Sequence, residues 1–560
     1  MSRKKSKSQA QSAQETVPAP WRRPEIWIFL AALGLRMGHL LAFREDFWFR
    51  TPLLDDNIFE SWAGVIDREG WLARSLGIFN LNPAYPYFLA LIGKVMGRDI
   101  IRVVVFQHVL GALAPVLVYR LTARLFDKKS GLWAAAIGVF YGPAVFYESR
   151  FLGEFFIFFF NLAALCLLVR ASGDERPALR WALGGFCLGL STIFRPTVLA
   201  FLPAALAWAF WTLRSRGIKR LALAAAVFVL GLWLPLFPFQ LRNRIVDPKN
   251  GWGLTTASGG VNLYIGNNPE ANGLNDTPSF VRYGPGHEYE DFKEEAQRRV
   301  GKTLSPKEVS RFWTRETLRW FQNRPADALR LLFKKMGYFW NYREAPDNFF
   351  PSLFDKFTRI GRAPLLSWGM VAPLGMLGLL LSWRKAKTEW LLQAYVLTYL
   401  GVNVLFYVLS RYRFPVVAGL IPFAGLALAR FYENVHARRL AKAAGLLFLL
   451  LPCWGLTRMP LIGEEDMAVT HYSFGVIFAN QGWKDKAAEE YRASIRADPA
   501  YKASYLNLAV LQAGRNEPEE TLWALEHLAQ LEKNPRQLEN IRRNIDILKR
   551  GLGKTAGPSR

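Results

Sequence analysis

The sequence predicts an α-helical, polytopic membrane protein of about eleven transmembrane helices. Hydrophobic residues make up 51% of the chain, and they gather into apolar runs of membrane-spanning length. The formal charge is +26, from 71 Lys and Arg against 45 Asp and Glu. These cations sit mostly in short connectors between apolar runs instead of on one soluble face, so the charge points to membrane topology and away from nucleic acid. Cys166, Cys187 and Cys453 lie inside apolar segments, without the spacing of a metal site or disulfide framework.

Runs long enough to span fall near 26–43, 101–120, 132–147, 154–170, 180–194, 196–213, 221–240, 363–382, 391–409, 415–431 and 442–458. Residues 1–24 are polar and basic, with Arg22 and Arg23 before the first run, and are expected to be a disordered cytoplasmic tail leading into an uncleaved first helix. The connectors YRLTARLFDKK, RASGDERPALR, LRSRGIKR, SWRKAK and HARRLAK are basic and are expected inside. An odd number of crossings then puts the C-terminus outside. NPAYPYFLALIGKVMG at 82–97 is apolar but short, and as a span it would move the basic loops to the wrong side. It is expected to lie in the outer interface. The chain then divides into a transmembrane module over 25–240 with a first outer loop at 44–100, an outer loop domain at 241–362, further transmembrane helices at 363–460, and a tail at 466–550.

In that tail, Gly475, Phe478, Ala487, Tyr491 and Pro499 keep the spacing of small and large residues by which the helix pair of a tetratricopeptide repeat (TPR) packs. A weaker second unit holds Tyr505, Leu508, Ala509, Leu525 and Pro535, and a helix at 537–550 could cap the stack. A generic helical hairpin is the plain alternative.

Candidate chemistry gathers on the outer face. Asp55 and Asp56 lie just beyond the first span; paired carboxylates there can act as a general base or bind a cation, although acidic pairs in loops are more often simply solvated. Glu154 sits at the start of a span, where a carboxylate needs a polar environment or serves as the acid of a helix N-terminus. Glu148 is expected in the water-facing turn. Arg411 and Arg413, in SRYRFP, and Arg195, in IFRPT, suit phosphate because the guanidinium fork donates two bonds to a tetrahedral anion. The plain alternative is an anchor among lipid headgroups. Arg36, inside the first span, needs an acidic or carbonyl partner in the bundle. In SGGVNLYIGNNPEANG, Asn262, Tyr264, Asn267 and Asn268 could hydrogen-bond a sugar or an acceptor, and a turn-forming scaffold fits equally. Helical patterns at 287–343 carry Trp313, Trp320, Tyr338 and Trp340, which suit an interfacial belt or a sugar-stacking surface.

Taken in order, Arg36, LLDDNIFESWA, NPAYPYFLALIGKVMG, FYESRFLGEF, TIFRPT, GGVNLYIGNNPEANG and SRYRFP resemble the GT-C glycosyltransferases, and within them bacterial relatives of dolichyl-phosphate-mannose protein mannosyltransferases and lipid A aminoarabinose transferases. The resemblance runs from about Arg36 to Pro415. It implies a GT-C-like fold, and the expected architecture as a whole adds a mixed periplasmic loop domain and, from the spacing above, a C-terminal all-α TPR tail. It also implies inverting transfer from a polyprenyl-phosphate sugar on the outer face, with Asp55 orienting or deprotonating the acceptor, Asp56 alongside, Glu154 as a second acid, and Arg411 and Arg413 holding the lipid phosphate. Arg195 could join them. This chain has Asp-Asp and Phe59 where many relatives have Asp-Glu and Tyr, and some relatives use a divalent metal while others do not, so a metal stays open. The implied partners are the lipid-linked donor, membrane lipid and a protein or glycan acceptor docked by the tail, and the implied location is a bacterial inner membrane with the tail in the periplasm. The rival is a polytopic assembly or export scaffold acting through the tail without catalysis. A transporter fits less well, because its charges should line the bilayer midplane.

Overall fold

The computed structural model describes residues 23–45, 47–50, 55–79, 81–173, 177–248, 253, 256, 258–275, 278–282, 288–345, 365–383, 389–463, 467–532 and 535–553. The expected N-terminal tail lies outside them, apart from Arg23 and Pro24, as do residues 346–364. The described residues are almost entirely helical, with no strand among them.

The helices are α1 (Pro24–Phe43), α2 (Asp55–Glu69), α3 (Ala84–Met96), α4 (Ile100–Leu125), α5 (Lys128–Phe140), α6 (Gly142–Glu148), α7 (Glu154–Ala171), α8 (Ala178–Phe194), α9 (Leu202–Leu213) and α10 (Ile218–Val246). The segment expected to form the outer domain, and called so below, holds α11 (Gly259–Ile265), α12 (Glu288–Val300), α13 (Pro306–Asn323) and α14 (Pro325–Trp340). Then come α15 (Trp368–Ser382), α16 (Trp390–Leu405), α17 (Val417–His436) and α18 (Leu440–Thr457). The tail is α19 (Ala468–Asn480), α20 (Lys484–Ala497), α21 (Lys502–Ala513), α22 (Pro518–Leu531) and α23 (Pro535–Gly551).

Seven described segments are long and apolar enough to cross a membrane: Pro24–Phe43, Ile100–Leu125, Glu154–Ala171, Pro196–Arg216, Ile218–Val246, Ser410–His436 and Leu440–Thr457. Shorter apolar helices are Ala84–Met96, Ala178–Phe194, Trp368–Ser382 and Trp390–Leu405. The expected span 132–147 is instead broken in two. Helix α5 stops at Phe140, whose carbonyl accepts from Leu366 N at 2.8 Å, and Gly142 N donates back to Leu366 O at 2.9 Å. The incoming extended segment thus takes over the backbone bonds that an unbroken helix would make, and Pro143 restarts the chain as α6. A second difference lies at 241: α10 continues to Val246, so the outer domain begins later.

Where helices must meet closely, glycine makes the room. A Cβ on Gly185 of α8 would lie 2.0 Å from Phe228 O of α10, and one on Gly231 of α10 would lie 2.2 Å from Ala182 O of α8. The two backbones are therefore in direct contact, the small-residue packing by which apolar helices associate in lipid. Helices α15 and α17 repeat the device at Gly378, against Phe423 O.

The outer domain has its own core, in which Val261, Ile265, Phe292, Val309 and Trp313 surround Tyr264. Helix α13 begins in a reciprocal cap between Ser305 and Glu308. Trp313, Trp320 and Tyr338 are buried, and half-buried Trp340 stacks on Trp368 at 6.1 Å. These aromatics fill protein interior, which corrects the expectation of an interfacial belt or sugar platform. In the tail, successive helices pair, Gly475 lies flat against the Tyr491 ring, and Ser494 Oγ donates to Ala468 O at 2.7 Å.

Candidate functional site

Asp55 and Asp56 open α2, where the positive end of the helix dipole suits carboxylates. Their side chains diverge. Asp55 Oδ2 accepts from Arg411 Nη1 at 2.5 Å, and both side chains keep some exposure, 19% and 12%. Asp56 is buried and pairs with buried Arg150, while its Oδ1 has no partner among the described residues. Burial, reinforced by the nearby charges of Asp55 and Glu154, raises the Asp56 carboxyl to about 6 against the pull of Arg150.

Glu154 opens α7 and is likewise buried, and it accepts from Arg195 Nη2 at 2.5 Å. Arg195 stands in extended backbone between α8 and the turn at Pro196–Phe201. Its guanidinium lies 4.0 Å from the centroid of the Tyr412 ring, and that of Arg411 lies 5.3 Å from the same ring. Tyr412 therefore joins two ion pairs, Asp55 with Arg411 and Glu154 with Arg195, while Asp56 with Arg150 forms a third beneath Asp55. The set is charge-balanced, and two of its guanidinium groups share one aromatic ring.

Four elements far apart in sequence thus bring together Asp55, Asp56, Glu154, Arg195 and Arg411. Arg413 does not join them. It is buried, donates to the carbonyls of Tyr338, Phe339, Asn341 and Arg343 and to Glu344 Oε2 at 2.9 Å, and lies over Trp368. Its donors are spent tying the turn to the outer domain, which corrects its assignment to phosphate. The Gly/Asn-rich stretch is scaffold too. Asn267 Nδ2 donates to Leu263 O and Leu405 O, and its Oδ1 accepts from Lys335. Asn268 caps Glu270 N, Tyr264 packs on Trp313 at 4.4 Å, and Asn262 Oδ1 accepts from Tyr407 at 3.3 Å.

Sequence reasoning missed three residues. Arg150 sits in plain view between Glu148 and Glu154, but nothing in its spacing marks it as the partner of Asp56. Arg242 is buried and holds the first outer loop by donating to Leu72 O, Ala73 O and Gly77 O, with its guanidinium 3.9 Å from the Phe79 centroid. Glu288, at the start of α12, is half-buried and feels the Asp55 charge, and partial desolvation together with that charge raises its carboxyl. Glu148 is a correction. It is fully buried and accepts from Arg36 Nε and Nη2 at 2.7 and 2.8 Å and contacts His108 Nδ1 at 3.2 Å. It is thus the partner that Arg36 requires. Among the described residues no three His, Cys, Asp or Glu form a group suited to a metal ion.

Residues 81–239, which carry Arg150, Glu154 and Arg195, match the family described as dolichyl-phosphate-mannose-protein mannosyltransferase. That match covers less than a third of the chain. Solved structures similar to this chain include the archaeal oligosaccharyltransferase AglB from Archaeoglobus fulgidus in complex with an inhibitory peptide and a dolichol-phosphate, at 14% identity and a TM-score of 0.42, over 81% of this chain and 58% of that one. An Archaeoglobus fulgidus oligosaccharyltransferase in complex with Zn and sulfate is similar at 15% identity and a TM-score of 0.44, over 80% of this chain and 55% of that one. The chain thus spans less than two thirds of the length of either. No curated protein matches it.

Proposed function

We propose that this chain is a GT-C glycosyltransferase that moves a sugar from a polyprenyl-phosphate donor to an acceptor on the outer face, with inversion at the anomeric carbon. The observation that carries the proposal is the pair of guanidinium groups, Arg411 and Arg195, on one tyrosine ring, each facing a carboxylate that begins a helix. The donor phosphate would exchange places with those carboxylates as the partner of the guanidinium forks. Asp55, the more accessible of the first-loop acids, then takes the proton of the acceptor as the acceptor heteroatom bonds to the anomeric carbon. The bond from that carbon to the phosphate oxygen breaks, and the polyprenyl phosphate leaves with its charge held by Arg411 and Arg195. Asp56 and Arg150 hold the start of α2 from beneath. The tail is read as a TPR-like unit that docks a protein or glycan acceptor, supported by the Gly475–Tyr491 contact.

The test compares membranes carrying wild type or Asp55→Asn by mass spectrometry of polyprenyl-phosphate sugars. The transferase function requires one lipid-linked sugar to accumulate in the variant at normal protein abundance. An unchanged lipid pool at normal abundance would favour a scaffold acting through its tail.

A further inference from the structure

Between the intramembrane pair Arg36–Glu148 and the outer pair Arg150–Asp56 lies a turn of three residues, 148–150, which carries one member of each pair. Its carbonyls follow the end of α6, where a helix leaves backbone acceptors without intrahelical donors. One buried side chain from α4 supplies them. Gln107 Nε2 donates to Glu148 O at 2.7 Å and to Arg150 O at 3.2 Å. Its Oε1 accepts from the Tyr85 hydroxyl at 2.9 Å, and that hydroxyl also lies 3.2 Å from Arg150 O. Both side chains are buried, so water cannot take over these bonds without cost.

We propose that Gln107, supported by Tyr85, is a positioning residue for the first-loop acids, acting through the backbone of Arg150 to aim its guanidinium at Asp56. The inference rests on the proposed function only for its effect on rate. The physical basis is that the Arg150 cation opposes the burial of Asp56, whose other charged neighbours, Asp55 and Glu154, both repel a second negative charge. A turn that slips by a fraction of an ångström weakens that opposition steeply, because a buried, hydrogen-bonded ion pair depends on close geometry. Gln107 thus acts on the charge state of a group it does not touch.

The experiment titrates the Asp56 carboxyl in the full-length, detergent-solubilised protein by pH-dependent infrared spectroscopy, its band identified by loss in Asp56→Asn. Wild type is compared with Gln107→Leu, which removes the amide at similar volume, and Tyr85→Phe, which removes one hydroxyl and keeps the ring packing. The expected result is an upward move of the titration midpoint, by about one unit in Gln107→Leu and less in Tyr85→Phe. In the transfer assay the same variants should lose kcat, about tenfold for Gln107→Leu, with little change in the donor KM. A midpoint identical to wild type in both variants would overturn the inference. A filler role in helix packing would lower the amount of folded protein and leave the midpoint where it was. If the midpoint moves but no variant, wild type included, transfers sugar, the positioning role stands and the proposed function falls.

Discussion

Glu148 shows how much a single buried charge constrains this protein. A guanidinium inside the bundle is costly unless neutralised, and Arg36 meets the requirement with a two-bonded contact to Glu148 plus a bond to Ala32 O at 3.3 Å. The carboxylate fits only because residue 111 is glycine, since a Cβ there would sit 2.3 Å from the Glu148 Cδ. Glu148→Gln should therefore cost roughly 3–5 kcal/mol by leaving Arg36 uncompensated, and Gly111→Ala should act in the same direction; both are read as loss of folded protein extracted from membranes. Asp56 supplies a pH dependence. Its carboxyl lies at about 6 in the fold, raised from the ordinary aspartate value of 3.8, so the fold favours its protonated form. The associated stability is present at low pH and is lost as pH rises from 3.8 to about 6. If transfer needs the ionised pair, activity should climb through that same window, with half its maximum near pH 6. Measuring kcat/KM against pH checks this, and a profile flat across the window would exclude an ionisable Asp56 from the site. The need of Arg36 for a partner was legible in sequence. The identity of that partner was not, because Glu148 reaches the bundle interior only through the break after Phe140.

Elements are held by close backbone contact and by polar ties between the outer domain and the bundle. The α8–α10 contact leaves no space beside Gly185, and the neighbouring atom is a backbone carbonyl that cannot move aside cheaply. Gly185→Val should separate these helices and reduce the monodisperse fraction in size-exclusion chromatography, whereas Gly34→Ala, with nothing within 4 Å, should be tolerated. Lys335 ties α14 to the bundle by donating to Asn267 Oδ1 at 2.8 Å and Phe406 O at 2.7 Å. Burial pushes its ammonium down from 10.5 to about 7, so the charged form is penalised in the fold. The sign follows: stability falls as pH drops from 10.5 towards 7 and levels off below. Lys335→Met should remove that dependence while stranding two buried acceptors, at about 1–3 kcal/mol each. Limited proteolysis between α14 and α16 at several pH values would show both effects, and an unchanged cleavage profile would rule out the tie.

At the scale of the whole molecule, the proposed site requires Asp55 and Arg411 to share one face of the membrane, with the tail on that face as well. Contact between Asp55 and Arg411 across most of the chain fits the first part. Single cysteines placed beside Asp55, beside Arg411 and in α20, in a background lacking Cys166, Cys187 and Cys453, should all react with an impermeant thiol reagent added from outside. Labelling of any one only after lysis would break the shared-face topology.

The sequence by itself determined the helical membrane class and most of the residues that converge, because apolar run length, basic connectors and acids at helix starts are local signals. Asp55, Asp56, Glu154, Arg195 and Arg411 were all visible in that way. Only the tertiary structure decided which of them pair and which residues are scaffold. Arg413, Asn267 and Asn268 carry the same chemistry as site residues, yet their hydrogen bonds are consumed by backbone carbonyls, those of Arg413 and Asn267 from distant segments. Arg150, Arg242 and Gln107 gain their roles from partners dozens of residues away or more. Composition and periodicity report what a residue can do, whereas its partners are fixed by long-range packing, and that packing depends on the break at Phe140 and on glycines at helix crossings.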